Sequence, residues 1–145
     1  MKIIVCAVGK VKDRPLRDAI DEYVARVRRY VAVDEVEIAD GPPERVRAAF
    51  EKALAGATVV ALEVNGKALS SPDFARFVER LGARGKGVVG FAIGGADGLP
   101  KEISAAAHVQ ISLSTFTFPH RLARLVLVEQ LYRAMTILRN EPYAH

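Results

Sequence analysis

Hydrophobic and polar residues alternate along this chain in blocks that predict strands and helices in turn. Residues 2–8 form a short apolar run rich in Ile and Val, which is typical of a strand buried on both faces. Residues 15–30 then carry apolar side chains at helical spacing, with acidic residues early and arginines late, as the helix dipole favours. The chain is therefore expected to begin with a strand that leads into a helix.

The same alternation continues through the rest of the chain. A half-exposed strand at 33–38 leads through a turn into a second helix, and a third strand at 58–64 ends at the turn signal Asn65-Gly66. Ser70 or Ser71 is the expected cap of a third helix. The remaining predicted elements are a strand at 87–93, a short helix at 100–107, a strand at 108–113 and a long helix from Pro119.

Five strands separated by helices predict an α/β fold with a mostly parallel sheet flanked by helices. No linker or repeat divides the chain, so residues 1–145 form a single predicted domain, large enough for a hydrophobic core without disulfides. Since protein chains seldom knot, these rules alone favour an unknotted, flavodoxin-like sheet.

The last helix is the longest, and Pro119 suits its first turn, with Thr117 or Phe118 near the cap. Its apolar positions cover more than half of its circumference, so a second layer of this chain or a second subunit must pack against it. If a second subunit does so, Val128→Asp or Leu131→Asp would give monomers or aggregates.

Arginines also recur along this helix close to the edge of its apolar surface. A solvated polar edge is the simpler interpretation, and a site for an anion or a partner is the alternative. The four positions are Arg121, Arg124, Arg133 and Arg139.

The composition of the chain limits the kinds of partner that it could bind and indicates its cellular compartment. A net charge of +4 and a pI near 9.4 favour an anionic partner, with nucleic acid as the first candidate. The single cysteine, Cys6, lies in an apolar run, which excludes an intramolecular disulfide and indicates a buried thiol in a reducing compartment. No uncharged apolar run approaches the roughly 18 residues of a membrane span, and no signal peptide is apparent. A soluble, cytoplasmic protein is expected.

Two loops that follow neighbouring strands carry the candidate chemistry. In an open α/β sheet, ligands bind beyond the carboxyl ends of the strands. Residues 94–99 are rich in glycine and could approach a ligand closely, and residues 113–118 combine hydroxyl groups with aromatic rings. Together they favour an adenosine-like ligand, and Gly94→Val is expected to block its binding while the fold survives.

Other kinds of site fail on spacing. Gly9 stands alone where a dinucleotide fingerprint needs three glycines, and Gly66-Lys67-Ala68 lacks the hydroxyl residue of a phosphate-binding loop. The three histidines lack the close spacing of zinc ligands. Ser114 and His120 could be a nucleophile and its base, but no G-x-S-x-G elbow surrounds the serine. For His120, a hydrogen-bonded role at the start of a helix is the simpler interpretation.

Five segments distributed from one end of the chain to the other form a distinctive set. They are residues 2–9, residues 93–99, Leu113 through His120, the motif Glu129-Gln-Leu-Tyr-Arg-Ala134 and the tail Asn140-Glu-Pro-Tyr143. With these segments the whole chain resembles the RlmH family of small SPOUT-class methyltransferases. The resemblance implies an α/β fold with a C-terminal trefoil knot and a homodimer without a metal. It also implies methyl transfer from S-adenosylmethionine to N3 of a pseudouridine in 23S rRNA of the large ribosomal subunit.

The resemblance also implies which residues form the site. Arg133 would stabilise the pyrimidine as its N3 loses a proton, Tyr143 is the tail tyrosine, and His120 and His145 are the candidates for the base. The family tail usually reads Pro-Tyr-His, whereas this chain has Ala144 before its final histidine. The implied cofactor contacts are Leu62, Gly94, Leu113, Ser114, Thr115, Phe116, Thr117 and Phe118.

Two other classes of function remain open at this point. A basic RNA-binding module without catalysis would use the glycine and hydroxyl loops only as structure. A nucleotide-dependent oxidoreductase would need the dinucleotide fingerprint that this chain lacks.

Overall fold

The computed structural model describes residues 1–143 as five strands that alternate with five helices. In chain order these are β1 (Lys2–Val8), α1 (Arg14–Val27), β2 (Ala32–Ile38), α2 (Pro43–Ala53), β3 (Thr58–Ala68), α3 (Ser71–Gly82), β4 (Val88–Ile93), α4 (Lys101–Ala106), β5 (Val109–Ser112) and α5 (His120–Leu138). Ser70 caps α3, since its hydroxyl accepts a hydrogen bond from the N–H of Asp73 at 3.2 Å.

The five strands form one parallel sheet in the order β2-β1-β4-β3-β5. This confirms the predicted α/β class. A flavodoxin-like sheet would pair β1 with β3, whereas here β4 pairs with β1 over residues 88–93. The flavodoxin-like prediction is therefore wrong in its strand order, because periodicity identifies strands but not which strands pair.

Helices cover both faces of the sheet, and β1, which lies between β2 and β4, is buried between them. The odd-numbered residues of β1 from Ile3 to Ala7 pack in a core with α1, α3 and α5, and the even-numbered ones from Ile4 to Val8 pack with α2 and α4. The continuous apolar run of β1 follows from this position, because a strand covered on both faces has no solvent side.

Cys6 lies in the second of these cores with no solvent exposure. Burial raises the pKa of its thiol to about 12, and the charge of Arg124 opposes this only in part. The thiolate is the reactive form of cysteine. We therefore expect native Cys6 to resist iodoacetamide at mildly alkaline pH and to react after denaturation, as followed by intact-mass spectrometry. Fast alkylation of the native protein would contradict this expectation.

The expected turn at Asn65-Gly66 is instead an irregularity within β3. Leu62 and Lys67 both lie opposite Ile111 of β5, so the residues between them bulge out of the ladder. A Cβ at Gly66 would lie 2.6 Å from the carbonyl carbon of Ile111. Glycine is therefore required here because another strand approaches its backbone, and not because the chain reverses.

The N-cap of helix α5 lies one or two residues later than predicted. Pro119 is itself the N-cap, with extended backbone angles of φ −60° and ψ 152°, and no side chain caps the helix. Thr117 and Phe118 instead belong to the preceding loop.

The wide apolar surface of α5 is covered within the chain by α1 and α3. Val128 and Leu131 are 1% and 0% exposed and lie in the core shared with those helices. These two residues are therefore core residues, and a substitution at either position would not report on a dimer. An aspartate at either position would place a charge in the core and unfold the chain, whatever its oligomeric state.

Candidate active site

An open cavity of about 210 Å³ lies at the carboxyl ends of β3, β4 and β5. Leu62 of β3, Gly94 after β4 and the loop after β5 line it, so the three regions indicated by the sequence meet at one place. Parallel strands make this possible because their carboxyl ends share an edge of the sheet. That these residues bind a cofactor stays a prediction.

The glycine loop after β4 folds back on itself beneath this cavity. Gly95 and Gly98 form an isolated bridge, with a hydrogen bond from the N–H of Gly98 to the carbonyl of Gly95 at 3.0 Å. A Cβ at Gly94 would lie 2.4 Å from backbone atoms of Gly98 and Leu99. Gly94→Val would therefore distort the loop itself, so the expectation that it blocks only the ligand was wrong.

The loop after β5 is held by its own hydroxyl groups. The Ser112 hydroxyl donates to the carbonyl of Ser114 at 2.8 Å, and the Ser114 hydroxyl accepts from the N–H of Phe116 at 3.0 Å. These bonds leave the Phe116 ring 77% exposed at the mouth of the cavity. Of the predicted contacts in this loop, Thr115 alone is not part of the cavity lining, and Thr117 is.

His120 lines the same cavity from the first turn of α5. Its ring lies against Gly9, where a Cβ would be 3.1 Å from both Cε1 and Nε2, and the φ of Gly9 is +97°. Burial, with the charges of Arg124 and Arg121, lowers the pKa of His120, and Glu37 opposes them. The imidazole is therefore neutral at physiological pH.

Arg133 and Tyr143, by contrast, lie far along the molecule from this cavity. Neither lines it, and the ten helical steps of α5 from Ala123, which lines the cavity, to Arg133 span about 15 Å at the helical rise per residue. The structure thus groups the predicted catalytic residues at two separate places. His145, the remaining candidate, lies outside the residues that the structure describes.

Glu129 joins Arg133 and Tyr143 to each other. One oxygen of this carboxylate accepts from Nη2 of Arg133 at 2.7 Å and from the Tyr143 hydroxyl at 2.8 Å. The guanidinium carbon of Arg133 lies 5.0 Å from the centre of the Tyr143 ring. Burial and hydrogen bonds with Tyr23 and Glu129 raise the pKa of Tyr143, so its hydroxyl stays protonated.

All four tyrosines of the chain lie around this second place. Tyr132 lies 4.5 Å from Tyr143, 6.2 Å from Tyr23 and 6.4 Å from Tyr30 between ring centres. Tyr30 also donates to Glu141 at 2.5 Å. These contacts hold the tail against α1 and α5.

The sequence only partly predicts the roles of two charged residues of the sites. For Arg124 a solvated edge is the simpler interpretation of the sequence and a site for an anion or a partner is the alternative, whereas the side chain has no exposure and contacts His120. Glu129 belongs to the Glu-Gln-Leu-Tyr-Arg-Ala motif but received no role. The available signal was spacing, because Arg124 follows His120 by four residues and Glu129 precedes Arg133 by four, which places each pair on one face of the helix.

Within residues 1–143, no three or more His, Cys, Asp or Glu side chains are grouped as a metal site. No helix in this part of the chain combines the length and apolar character needed to cross a bilayer.

A family model described as a predicted SPOUT methyltransferase matches residues 1–145. The ribosomal RNA large subunit methyltransferase H of Sorangium cellulosum (strain So ce56) is 67% identical over 145 residues, with 100% of each chain covered. The protein of the same name from Desulfitobacterium hafniense (strain DSM 10664 / DCB-2) is 40% identical, with 99% of this chain and 98% of the relative covered.

Solved structures share the fold at low sequence identity. A probable methyltransferase from Bordetella pertussis Tohama I has a TM-score of 0.60 at 16% identity, with 92% of this chain and 93% of that chain covered. TrmJ from Z. mobilis ZM4 also has a TM-score of 0.60 at 16% identity, with 100% of this chain and 73% of that chain covered.

Proposed function

Because the chain belongs to the RlmH family of SPOUT methyltransferases, we propose that it methylates N3 of a pseudouridine in 23S rRNA with S-adenosylmethionine as donor. The observation that carries the proposal is the meeting of three strand-end loops around one cavity, at the edge where α/β sheets bind ligands. The names of the relatives support large-subunit rRNA as the substrate.

The cavity fits an adenosine-containing ligand in its chemistry. Leu62, Leu99 and Phe118 offer apolar walls for a purine, and the hydroxyls of Ser114 and Thr117 offer polar partners. S-adenosylmethionine would supply an activated methyl group on its sulfonium. The residues of the chain would hold the adenosine and exclude bulk water from its face.

Methyl transfer to N3 makes two further demands on the protein. The acceptor nitrogen must be aligned with the methyl group, and alignment of this kind lowers barriers by about 7–11 kcal/mol in favourable cases. The pyrimidine also gains negative charge as N3 loses its proton, and a fixed guanidinium stabilises such charge best in the transition state. Arg133 is the proposed cation, oriented by Glu129.

We propose a homodimer because about 15 Å of α5 separates Arg133 from Ala123, which lines the cavity of the same chain. A symmetric dimer would bring the end of one subunit's α5 to the cavity of the other. The cavity is also smaller than the roughly 300–1,000 Å³ of typical ligand sites, as expected if a partner completes its wall. Val64 and Phe116 are exposed hydrophobic residues that line the cavity and that a partner would cover.

Charge and compartment fit the same proposal. The net charge of +4 favours binding to the phosphates of RNA. Because its proposed substrate is ribosomal, we also propose a cytoplasmic location. The trefoil knot of the C-terminal segment stays a prediction of the resemblance.

The proposal can be tested with purified protein, S-adenosylmethionine labelled in its methyl group, and two ribosome preparations. One preparation carries rRNA with the pseudouridine at the site but without a methyl group on its N3. The other comes from a strain that lacks the pseudouridine synthase for the site. Mass spectrometry of the nucleosides should find the label on N3 of pseudouridine in the first preparation only. Binding of ribosomes without transfer of label would favour the non-catalytic RNA-binding module instead.

A further inference from the structure

Arg124 is a charged side chain with no solvent exposure, in the interior of α5. Its Nη1 donates to Glu35 at 3.0 Å and to Glu37 at 2.5 Å, and its Nη2 donates to the carbonyl of Gly9 at 2.9 Å. Its contacts therefore reach from α5 to β2 and to the end of β1.

The two carboxylates of β2 also bind a second arginine. Arg17 of α1 donates to Glu35 at 2.5 Å and to Glu37 at 3.4 Å, so two cations share two anions. Buried charges of this kind are weak evidence for stability, since removing them from water costs as much as their attraction returns. The Nε of Arg124 also lacks a hydrogen-bond partner among the described residues. The burial of Arg124 therefore calls for an explanation beyond stability.

The remaining contact of Arg124 reaches the cavity. Its Nη2 lies 3.5 Å from Nδ1 of His120, one helical turn earlier. Every nitrogen of an arginine side chain is a donor, so an imidazole nitrogen facing it is favoured as the bare, accepting one. A proton on that nitrogen would bring two positive charges together, with Arg121 as a third nearby, while the charge of Glu37 opposes their effect on His120.

We infer that Arg124 is a positioning residue that fixes His120 as a neutral imidazole with its proton on Nε2. Since Arg124 occupies the Nδ1 edge, the N–H of His120 lies on Nε2, beside Gly9, which has no side chain to cover it. Toward a ligand in the cavity that it lines, His120 would therefore act as a donor and not as a base. The matching ligand atom is an acceptor oxygen or nitrogen. Only the identity of that ligand rests on the proposed function. The proton of the acceptor N3 would then leave by a route that does not involve His120.

The tautomer can be read without any substrate. Nitrogen-15 NMR of the histidine-labelled protein, assigned with His108→Gln and His145→Gln, should show the neutral ring of His120 with its single proton on Nε2. The pKa of His120 should lie below the usual histidine value of about 6.5. A proton on Nδ1, or titration near the usual value, would overturn the inference. Failure of the proposed rRNA reaction would leave this measurement unaffected.

Variants of the two arginines separate positioning from general support of the fold. Arg124→Met removes the cation that faces Nδ1 and leaves Glu37 nearby, so the pKa of His120 should rise above its value in the wild-type protein. The matched control is Arg17→Met, which removes a partner of the same carboxylates without touching His120, and it should leave the tautomer unchanged. Equal changes in the tautomer and pKa of His120 in both variants would show that Arg124 only supports the fold. If Arg124→Met does not fold, the wild-type tautomer and the Arg17→Met control still decide.

Enzyme kinetics distinguish a donor from a base. Glutamine can place an N–H near the position of Nε2 but cannot take up a proton, so His120→Gln should keep methyl transfer within about tenfold of wild type, whereas loss of a general base typically costs about 10²–10⁴-fold. His120→Ala should fall further than His120→Gln. A glutamine variant as inactive as the alanine variant would restore His120 as the base.

Discussion

Arg133→Ala is expected to lower the rate of methyl transfer by about 100-fold or more, the usual loss when one preorganised group that stabilises an anion is removed. Affinity for S-adenosylmethionine should stay within a few fold, because the cation acts on negative charge that develops only in the transition state. Single-turnover methylation of ribosomes measures the first quantity and calorimetry the second. A near-normal rate would remove Arg133 from the mechanism and move attention to Tyr143.

Arg133→Lys serves as the control for charge alone. Lysine keeps the positive charge but lacks the planar fork by which Arg133 pairs with Glu129 and stacks on Tyr143. We therefore expect only partial recovery of the rate. Full recovery would show that the position of the guanidinium plane has no importance for the reaction.

Thr117→Trp is expected to abolish binding of S-adenosylmethionine. Thr117 is exposed and lines the cavity, so an indole there would fill space that the cofactor needs without disturbing the core. Calorimetry should detect at least a tenfold loss of affinity, equivalent to about 1.4 kcal/mol. The thermal midpoint should stay close to that of wild type.

The matched control is Thr115→Trp, two residues earlier in the same loop. Thr115 is also exposed but does not line the cavity, so the same indole should leave affinity within about twofold, a change of only a few tenths of a kcal/mol. Equal losses at both positions would mean that the loop as a whole has been disturbed. They would also restore Thr115 as a cofactor contact.

Mixing the two inactive variants tests whether the site is shared between subunits. In a heterodimer of Arg133→Ala and Thr117→Trp, one site pairs an intact cavity with an intact arginine from the partner. If subunits exchange at random, about a quarter of wild-type activity should return. If the site lies within one chain, mixing restores nothing.

The sequence predicted the site best for residues in the loops that directly follow the strands β3, β4 and β5. Leu62, Gly94 and most of residues 113–118 meet at one cavity because every strand is parallel and each loop leaves the same edge of the sheet. Gly94 shows the limit of this reasoning. Glycine indicates that something approaches closely, but only the folded loop shows that its own backbone does so.

Local patterns determined the elements of this protein. The apolar run of β1, the helical spacing of α1 and the length of α5 follow from side-chain periodicity and from the dipole preferences of helices. The α/β class follows from their alternation, because helices must cover both faces of a parallel sheet. These are short-range properties, which neighbouring residues specify without knowledge of the rest of the chain.

Only the tertiary structure decided which elements meet. The pairing of β4 with β1 cannot be predicted from the hydrophobic periodicity of the sequence, since several apolar strands could occupy the position beside β1 in the sheet. Likewise, Arg124 has the same spacing whether it faces water or the carboxylates of β2, which lie 87 and 89 residues away in the chain. Burial of an arginine is tolerable only where counter-charges converge on it, and that convergence is a property of the assembled fold.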